Sequence, residues 1–433
     1  MMLRMPDVVH ILFWFYQLRR NLYLAPEQLL DLQRQRLAAI VRHAYEHVPY
    51  YRHLFDQVGL SPRDIRSLED LRVLPVTTKA ALREHPQQAR VTPHRDGGNY
   101  ISVTTSGSTG MPFQIQFSRQ EGRLKYLKFL RALMETGYRL TDRLAMVDRR
   151  RDEEQGQWWL QGLGILREYH VCVFDDLDVQ LARLRQIRPQ YIHGYPHALK
   201  CLAQALTEEG ITEVRPRVVS TLAEVLDEGT REIIRQGFDA PVLDLYSARE
   251  FGNIAWECPT GAGYHINSDL ILVEFLVDGR PAQPGERAEL VCTSLFGYTM
   301  PFIRYKLGDV AAPLAGTCPC GRGLPLMGPV EGRLVDLIVL PSGRKVSPYH
   351  FSETIKDIPG IKQFQVTQEA LTRILVRIVP DTDFSPMTLA EVEACCRRAA
   401  VQEAQITVVV AESLPLEPSG KFRLVKSEVQ QDT

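Results

Sequence analysis

Apolar positions recur along this chain with two different periods, and the places where the period changes divide it. Up to about residue 90 the period is helical. The stretch 33–45 carries Leu37, Ile40, Val41 and Ala44 at helical spacing, with arginines between them. His47-Val48-Pro49-Tyr50-Tyr51 interrupts that helix. Pro75-Val76-Thr77-Thr78-Lys79 predicts a turn into a helix capped by Thr77 or Thr78. The apolar and aromatic run 8–16 is too short to span a bilayer, which takes about 20 apolar residues. It predicts a helix packed on the domain, and Arg19 and Arg20 behind it also allow an amphipathic docking helix.

From 100 to 330, short apolar strands alternate with helical stretches. Strands are predicted at 101–103, 144–147, 171–174, 191–192, 218–219 and 242–245, and helices at 121–134 and 197–209. This alternation predicts an α/β fold with mainly parallel sheets. Past 265, β-rich runs at 270–276 and 288–293 predict a smaller β subdomain. A boundary falls near Gly332-Arg333. Beyond it, strands at 337–340, 363–366, 374–378 and 405–410 and helices at 351–355 and 389–401 predict a compact α+β unit. The expected organisation is therefore a large multi-subdomain domain, 1–332, and a small C-terminal domain, 333–433. No internal repeat or low-complexity segment interrupts either.

Composition narrows the function classes. Of 433 residues, 45% are hydrophobic and 24% charged, the balance of an ordinary globular protein. The 51 basic and 52 acidic side chains leave a net charge of −1, which gives no footprint for nucleic acid. With no export signal and no transmembrane segment, the eight cysteines point to a reducing cytoplasm rather than a disulfide scaffold.

The richest candidate chemistry follows the strand at 101–103. Thr104-Thr105-Ser106-Gly107-Ser108-Thr109-Gly110 combines glycines, which let backbone N–H groups face an anion, with hydroxyls that add donors to phosphate oxygens. It is not a Walker A loop, because the Gly-Lys-Ser/Thr ending is absent. A hydroxyl-rich turn is the bland alternative. A second constellation is metal-like. Cys258 and His265 lie in one glycine-rich loop and Cys318 and Cys320 in another, a three-thiol, one-imidazole set suited to tetrahedral zinc in a β subdomain at 258–320. Buried free thiols are the alternative.

Ser106-Gly107-Ser108-Thr109-Gly110-Met111-Pro112 resembles the phosphate loop of the adenylate-forming superfamily, with Phe113 where a lysine often stands. Four further segments resemble that family's motifs in its own order. Tyr246-Ser247-Ala248-Arg249-Glu250 resembles the segment whose tyrosine lies against adenine and whose glutamate helps hold Mg²⁺, with Arg249 in place of a threonine. Arg304-Tyr305-Lys306-Leu307-Gly308-Asp309 resembles the segment whose aspartate grips the ribose diol. Gly332-Arg333-Leu334-Val335-Asp336 resembles the interdomain hinge, where Arg333 would reach ribose or phosphate. Pro418-Ser419-Gly420-Lys421 resembles the loop carrying the adenylation lysine.

The N-terminal stretch 44–51 and Leu74-Pro75-Val76-Thr77-Thr78-Lys79 are similar to the phenylacetate–coenzyme A ligase family, and 247–258 is nearest its CapK-type branch. The resemblance implies ATP-dependent activation of a carboxylic acid to an acyl-adenylate with release of pyrophosphate. A swing of the C-terminal domain and transfer to coenzyme A would follow. It implies ATP, Mg²⁺ and CoA as cofactors, with catalysis by Lys421 and Glu250. Thr105, Ser106, Gly107, Ser108, Thr109, Gly110, Tyr246, Ser247, Arg249, Asp309 and Arg333 would form the nucleotide site. Two alternatives stay open at this point: an adenylate-forming enzyme with an amine, hydroxyl or cofactor acceptor, and a non-catalytic nucleotide-binding or assembly protein. Neither the acid nor the oligomeric state, with a homodimer allowed, is fixed by these residues. Asn267 and Ser268, or the aromatic Tyr246, are candidates for the border of an acyl pocket, as are Tyr195, Pro196 and His197.

Overall fold

A computed structural model describes residues 5–93, 100–105, 113–151, 159–331, 338–346, 351, 354–355, 358–400, 402–414 and 422–429. The chain forms two compact units, one of residues 1–138 with 243–329 and the other of 139–242 with 330–433.

The first unit opens with α1 (Met5–Asn21), α2 (Pro26–His47) and α3 (Pro49–Gln57). Helix α2 starts before the apolar stripe because Pro26 is set for a first helical position and the Gln28 side chain caps Ala25 N–H at 3.1 Å. Leu37, Ile40, Val41 and Ala44 are all buried. Short helices α4 (Leu68–Leu71), α5 (Lys79–Arg83) and α6 (Gln87–Arg90) follow, and Thr78 caps α5 by accepting from Ala81 N–H at 3.0 Å. Strands β1 (Ile101–Thr105) and β2 (Phe113–Phe117) form an antiparallel hairpin with Thr105 opposite Phe113. The hydroxyl-rich loop, residues 106–112, joins these strands and lies outside the described residues. Helix α7 (Arg119–Glu135) then begins in a capping box: Ser118 Oγ accepts from Glu121 N–H at 3.2 Å, and Glu121 accepts from Ser118 N–H at 2.6 Å.

The second unit begins with β3 (Arg143–Asp148), α8 (Trp159–Gly162), β4 (Arg167–Cys172), α9 (Leu177–Ile187), β5 (Tyr191–Gly194), α10 (Pro196–Glu208), β6 (Val218–Leu222) and α11 (Glu228–Phe238). The strands run parallel in the order β6-β5-β3-β4, the arrangement the alternating pattern predicts. One strand is displaced from its expected place: β4 ends at Cys172, and Phe174 is exposed. Its polar residue His170 is buried because Asp148 and Glu168 neutralise it at 3.2 and 3.4 Å, a pairing that an apolar-run criterion passes over. Helices α10 and α11 touch at Gly237, where a Cβ would overlap the Ala203 carbonyl oxygen.

The chain then returns to the first unit with β7 (Val242–Ala248), β8 (Gly252–Glu257) and β9 (Tyr264–Ile266). Strands β10 (Ile271–Val277), β11 (Arg280–Pro281), β12 (Ala288–Ser294) and β13 (Tyr305–Ala311) make an antiparallel sheet in the order β11-β10-β12-β13, the expected β subdomain. Strands β14 (Pro313–Leu314) and β15 (Leu326–Met327) pair in the order β14-β15-β9-β8-β7. Residues 267–269 are anchored deep inside. The Arg131 guanidinium, fully buried, donates to both carboxylate oxygens of Asp269 (2.9 and 3.0 Å), to the Leu18 carbonyl (2.7 Å) and to Asn267.

In the second unit, the C-terminal part holds β16 (Ile338–Val339), β17 (Lys345–Val346), β18 (Ile361–Ala370), β19 (Arg373–Pro380), α12 (Pro386–Ala399), β20 (Gln405–Val410) and β21 (Val425–Ser427). Its sheet order is β20-β19-β18-β21, packed on α12 through Val366, Val376, Ile378, Val392 and Cys396. Ser385 caps α12 and Pro386 starts it.

Candidate active site

Two tyrosine–carboxylate pairs organise the site in the first unit. Tyr246, at the end of β7, donates its hydroxyl to Asp309 Oδ2 at 2.6 Å. Tyr305, at the start of β13, donates to Glu250 Oε1 at 3.1 Å. The residues expected to meet adenine, ribose and Mg²⁺ thus share one neighbourhood. Local irregularity aims them. Between β12 and β13 the register jumps, so that Glu289 and Val291 oppose Val310 and Lys306, and Gly308 takes φ +80°. This bulge lifts Asp309 out of the ladder, as bulges beside active sites do. Glu250 occupies the middle of the three-residue loop Arg249-Glu250-Phe251 between β7 and β8, which closes at Gly252 with φ +71°. A small cleft beside it is lined by Phe117, Lys125, Glu250, Phe296, Met300 and Phe302.

The two N-terminal segments that carried the family resemblance both brace the approach to β13. The Tyr51 hydroxyl donates to the Pro301 carbonyl (3.0 Å) and accepts from Ile303 N–H (2.9 Å). Thr77 bridges to the edge of β13, taking Lys306 N–H at 2.9 Å and giving its own N–H to the Arg304 carbonyl at 2.8 Å. Arg304 holds φ +47°, an uncommon conformation for a residue with a side chain, and its guanidinium is buried against Glu274 at 2.9 and 3.0 Å. Burial pushes the Glu274 carboxyl up, against the opposing pull of Arg304.

The other expected residues divide clearly. Ser247 lies on β7 opposite Asn253, and Arg249 is exposed at the loop tip. Thr105 closes β1, where only its backbone is described. Ser106, Gly107, Ser108, Thr109, Gly110, Arg333 and Lys421 lie outside the described residues. Phe113 turns inward and is buried, with the Lys79 ammonium 5.7 Å and the Arg90 guanidinium 5.2 Å from its ring centroid. Asn267 and Ser268 sit in the interior of the first unit. Asn267 donates to Asn253 Oδ1 at 2.7 Å inside the Arg131 network, and both residues are buried. In the second unit, His197 stacks on Phe422, the neighbour of Lys421, with centroids 4.0 Å apart, and Glu224 accepts from Phe422 N–H at 2.6 Å. Burial lowers the His197 pKa to about 4, so its ring is neutral. Sequence reading missed Tyr305, and it missed Lys125 and Lys128 on α7, because charged residues on a helix normally signal its wet face.

The cysteine–histidine set converges. Cys258, His265, Cys318 and Cys320 present ligand atoms that all lie within 4.8 Å of one another. Cys258 and Cys318 sulfurs are 3.6 Å apart, and His265 Nε2 is 3.2 Å from Cys320 Sγ. A zinc tetrahedron with sulfur ligands at about 2.3 Å has edges of about 3.8 Å, close to these spacings. Burial lowers the His265 pKa to about 4, leaving the imidazole in its neutral, metal-ligating form. Strand β9 supplies His265, and Cys258 immediately follows β8.

Comparison with known proteins finds relatives over most of the chain. Residues 338–428 match the family model of the CapK C-terminal domain. The phenylacetate–coenzyme A ligase of Thermus thermophilus is 29% identical over 345 residues, covering 77% of each chain. That of Escherichia coli is 28% identical over 348 residues, covering 76% of each. The chain is similar to the phenylacetate–coenzyme A ligases over most of its length, and its C-terminal segment is similar to the CapK C-terminal domain. Protein CapK of Staphylococcus aureus is 21% identical over 291 residues, covering 65% of this chain and 62% of its own. A crystal structure of 2-hydroxyisobutyryl-CoA ligase in a postadenylation state has the same fold, with a TM-score of 0.79, 20% identity, and coverage of 95% of this chain and 92% of that one. No helix among the described residues is long and apolar enough to cross a membrane.

Proposed function

We propose that this protein is an AMP-forming acid–thiol ligase. It condenses a carboxylic acid with ATP, releasing pyrophosphate, and passes the acyl group from the adenylate to coenzyme A, releasing AMP. The observation that carries this reading is the pairing of Tyr246 with Asp309 and Tyr305 with Glu250 in a chain similar to these ligases. A carboxylate is the natural double acceptor for a ribose diol, the role of Asp309. A hard cation among phosphates takes oxygen ligands, the role of Glu250 toward Mg²⁺. The loop Thr105 to Gly110 would cradle phosphates with its backbone amides, and Ser247, Arg249 and Arg333 would complete the nucleotide site. Lys421 would neutralise charge developing at the α-phosphorus as the carboxylate attacks. A domain break near Gly332-Arg333 would let the C-terminal domain exchange one half-reaction for the other.

The convergent thiols and imidazole of Cys258, Cys318, Cys320 and His265, all buried but the half-buried Cys320, support a closed, structural zinc site. Such a site would staple the ends of β8 and β9, the hairpin whose other end carries Glu250. A second reading keeps the adenylation and changes the acceptor. A panel of aromatic, fatty and amino acids separates the two: pyrophosphate release with stoichiometric loss of CoA thiol is expected, and release without thiol loss would move the reading to another acceptor. Lys421→Ala should lower pyrophosphate release by orders of magnitude with ATP binding retained. Unchanged release would remove its assigned role.

A further inference from the structure

Helix α7 carries two lysines one turn apart, Lys125 and Lys128, and both reach the loop that holds Glu250. Lys125 Nζ donates to the Arg249 carbonyl at 3.0 Å, and Lys128 Nζ donates to the Phe251 carbonyl at 2.6 Å. These are the carbonyls on either side of Glu250. An aromatic face backs each ammonium: the Phe117 centroid is 4.5 Å from Lys125 Nζ, and the Phe296 centroid is 4.8 Å from Lys128 Nζ. Between the two stems sits Gly252. A Cβ there would lie 3.4 Å from Lys125 Cγ and 3.7 Å from Lys128 Cε, so the lysines pack against the backbone that closes the loop.

Lys128 is fully buried, and among the described residues its ion pairs include no carboxylate. Burying an ammonium is expensive, several kcal/mol for an ion in real proteins. An apolar residue of the same length would fill the space without that cost. What the ammonium adds is direction, because it fixes one carbonyl at hydrogen-bond distance. Two such fixed carbonyls determine the peptide plane that leads into Glu250 and the one that leaves Phe251, and so hold the short span between them.

We propose that Lys125 and Lys128 are positioning residues: two ammoniums from one face of α7 clamp the carbonyls flanking Glu250 and so set how its carboxylate meets a divalent cation. Because α7 continues directly from the β1–β2 hairpin, the clamp ties the phosphate loop's own supersecondary unit to the metal ligand. This inference rests on the proposed Mg²⁺ role of Glu250 and adds the residues that orient it.

The experiment uses the full chain and the variants Lys125→Met, Lys128→Met, Lys128→Arg and Glu250→Gln. Amide hydrogen exchange across 248–253, without any substrate, reads the clamp alone. Each methionine variant should exchange at least tenfold faster there, with exchange in β10 and β12 unchanged. In pyrophosphate release at saturating acid, Lys128→Met should need at least fivefold more Mg²⁺ for half-maximal rate, keep its acid KM within twofold, and be partly rescued in Lys128→Arg. If Lys128→Met fails to fold, Lys125→Met, at the more open end, carries the same test. Unchanged exchange in both methionine variants, or a rate loss with the Mg²⁺ requirement unmoved, overturns the clamp. An unaltered Mg²⁺ requirement in Glu250→Gln would strike the assignment of Glu250 instead, a separate failure, because the exchange measurement involves no catalysis.

Discussion

Replacing Arg131 by methionine should destabilise the first unit by about 3–5 kcal/mol, the usual cost of leaving a buried charge without its partner. Arg131 and Asp269 are both 0% exposed, and the pair is bidentate at 2.9 and 3.0 Å. Burial alone would raise the Asp269 carboxyl, yet Arg131 and the Asn21 amide, 3.0 Å away, hold it below the usual carboxylate range. The methionine variant removes the bidentate partner and also frees the Leu18 carbonyl and Asn267. A double variant, Arg131→Met with Asp269→Leu, removes the orphaned charge, so it should recover at least 1 kcal/mol even though polar groups around it lose partners. Urea unfolding followed by tryptophan fluorescence suits the assay, because Trp256 lies 5.8 Å from the guanidinium. A loss below about 1 kcal/mol in the single variant, or a double variant less stable than the single, would refute the reasoning that desolvation governs this pair.

Two further outcomes are expected. His170 is buried, which disfavours its charge, but Asp148 and Glu168 outweigh that and raise its pKa to about 9 from 6.5. A raised folded pKa means that stability is fully present below pH 6.5 and is lost as pH climbs through 9. The gap corresponds to at most about 3 kcal/mol. The melting temperature of the native chain should therefore exceed that of His170→Gln by less at pH 9.5 than at pH 6, and a difference independent of pH would contradict the ion pair. Protein purified without added metal should carry about one zinc per chain, lost together with thermal stability in Cys318→Ser; less than half an equivalent in the native protein would remove the site.

Much of the fold is legible in the residues, and the exceptions share a cause. Strands β3, β5 and β6 of the second unit are short, mainly apolar runs because both faces of such a sheet are covered. Strand β4 escaped its expected place because His170 reads as polar until Asp148 and Glu168 are known to face it. The zinc-like set was visible because thiols and an imidazole in glycine-rich loops have few other uses, although the convergence of two loops 60 residues apart is a tertiary fact. Glu250 and Asp309 were singled out through local motifs. Lys125 and Lys128 were not, since nothing local separates a buried ammonium aimed at a carbonyl from a solvated one. The network around Asn267 was not legible for the same reason: its partner Arg131 is 136 positions away.

Acid-dependent exchange of labelled pyrophosphate into ATP, measured without coenzyme A across a panel of carboxylic acids, tests the central claim most directly. Reversible adenylation predicts exchange that appears with at least one acid, needs Mg²⁺, and vanishes when the acid is omitted. Hydrolysis of ATP to ADP and phosphate in place of exchange, or no exchange with any acid by protein that binds ATP, would contradict it.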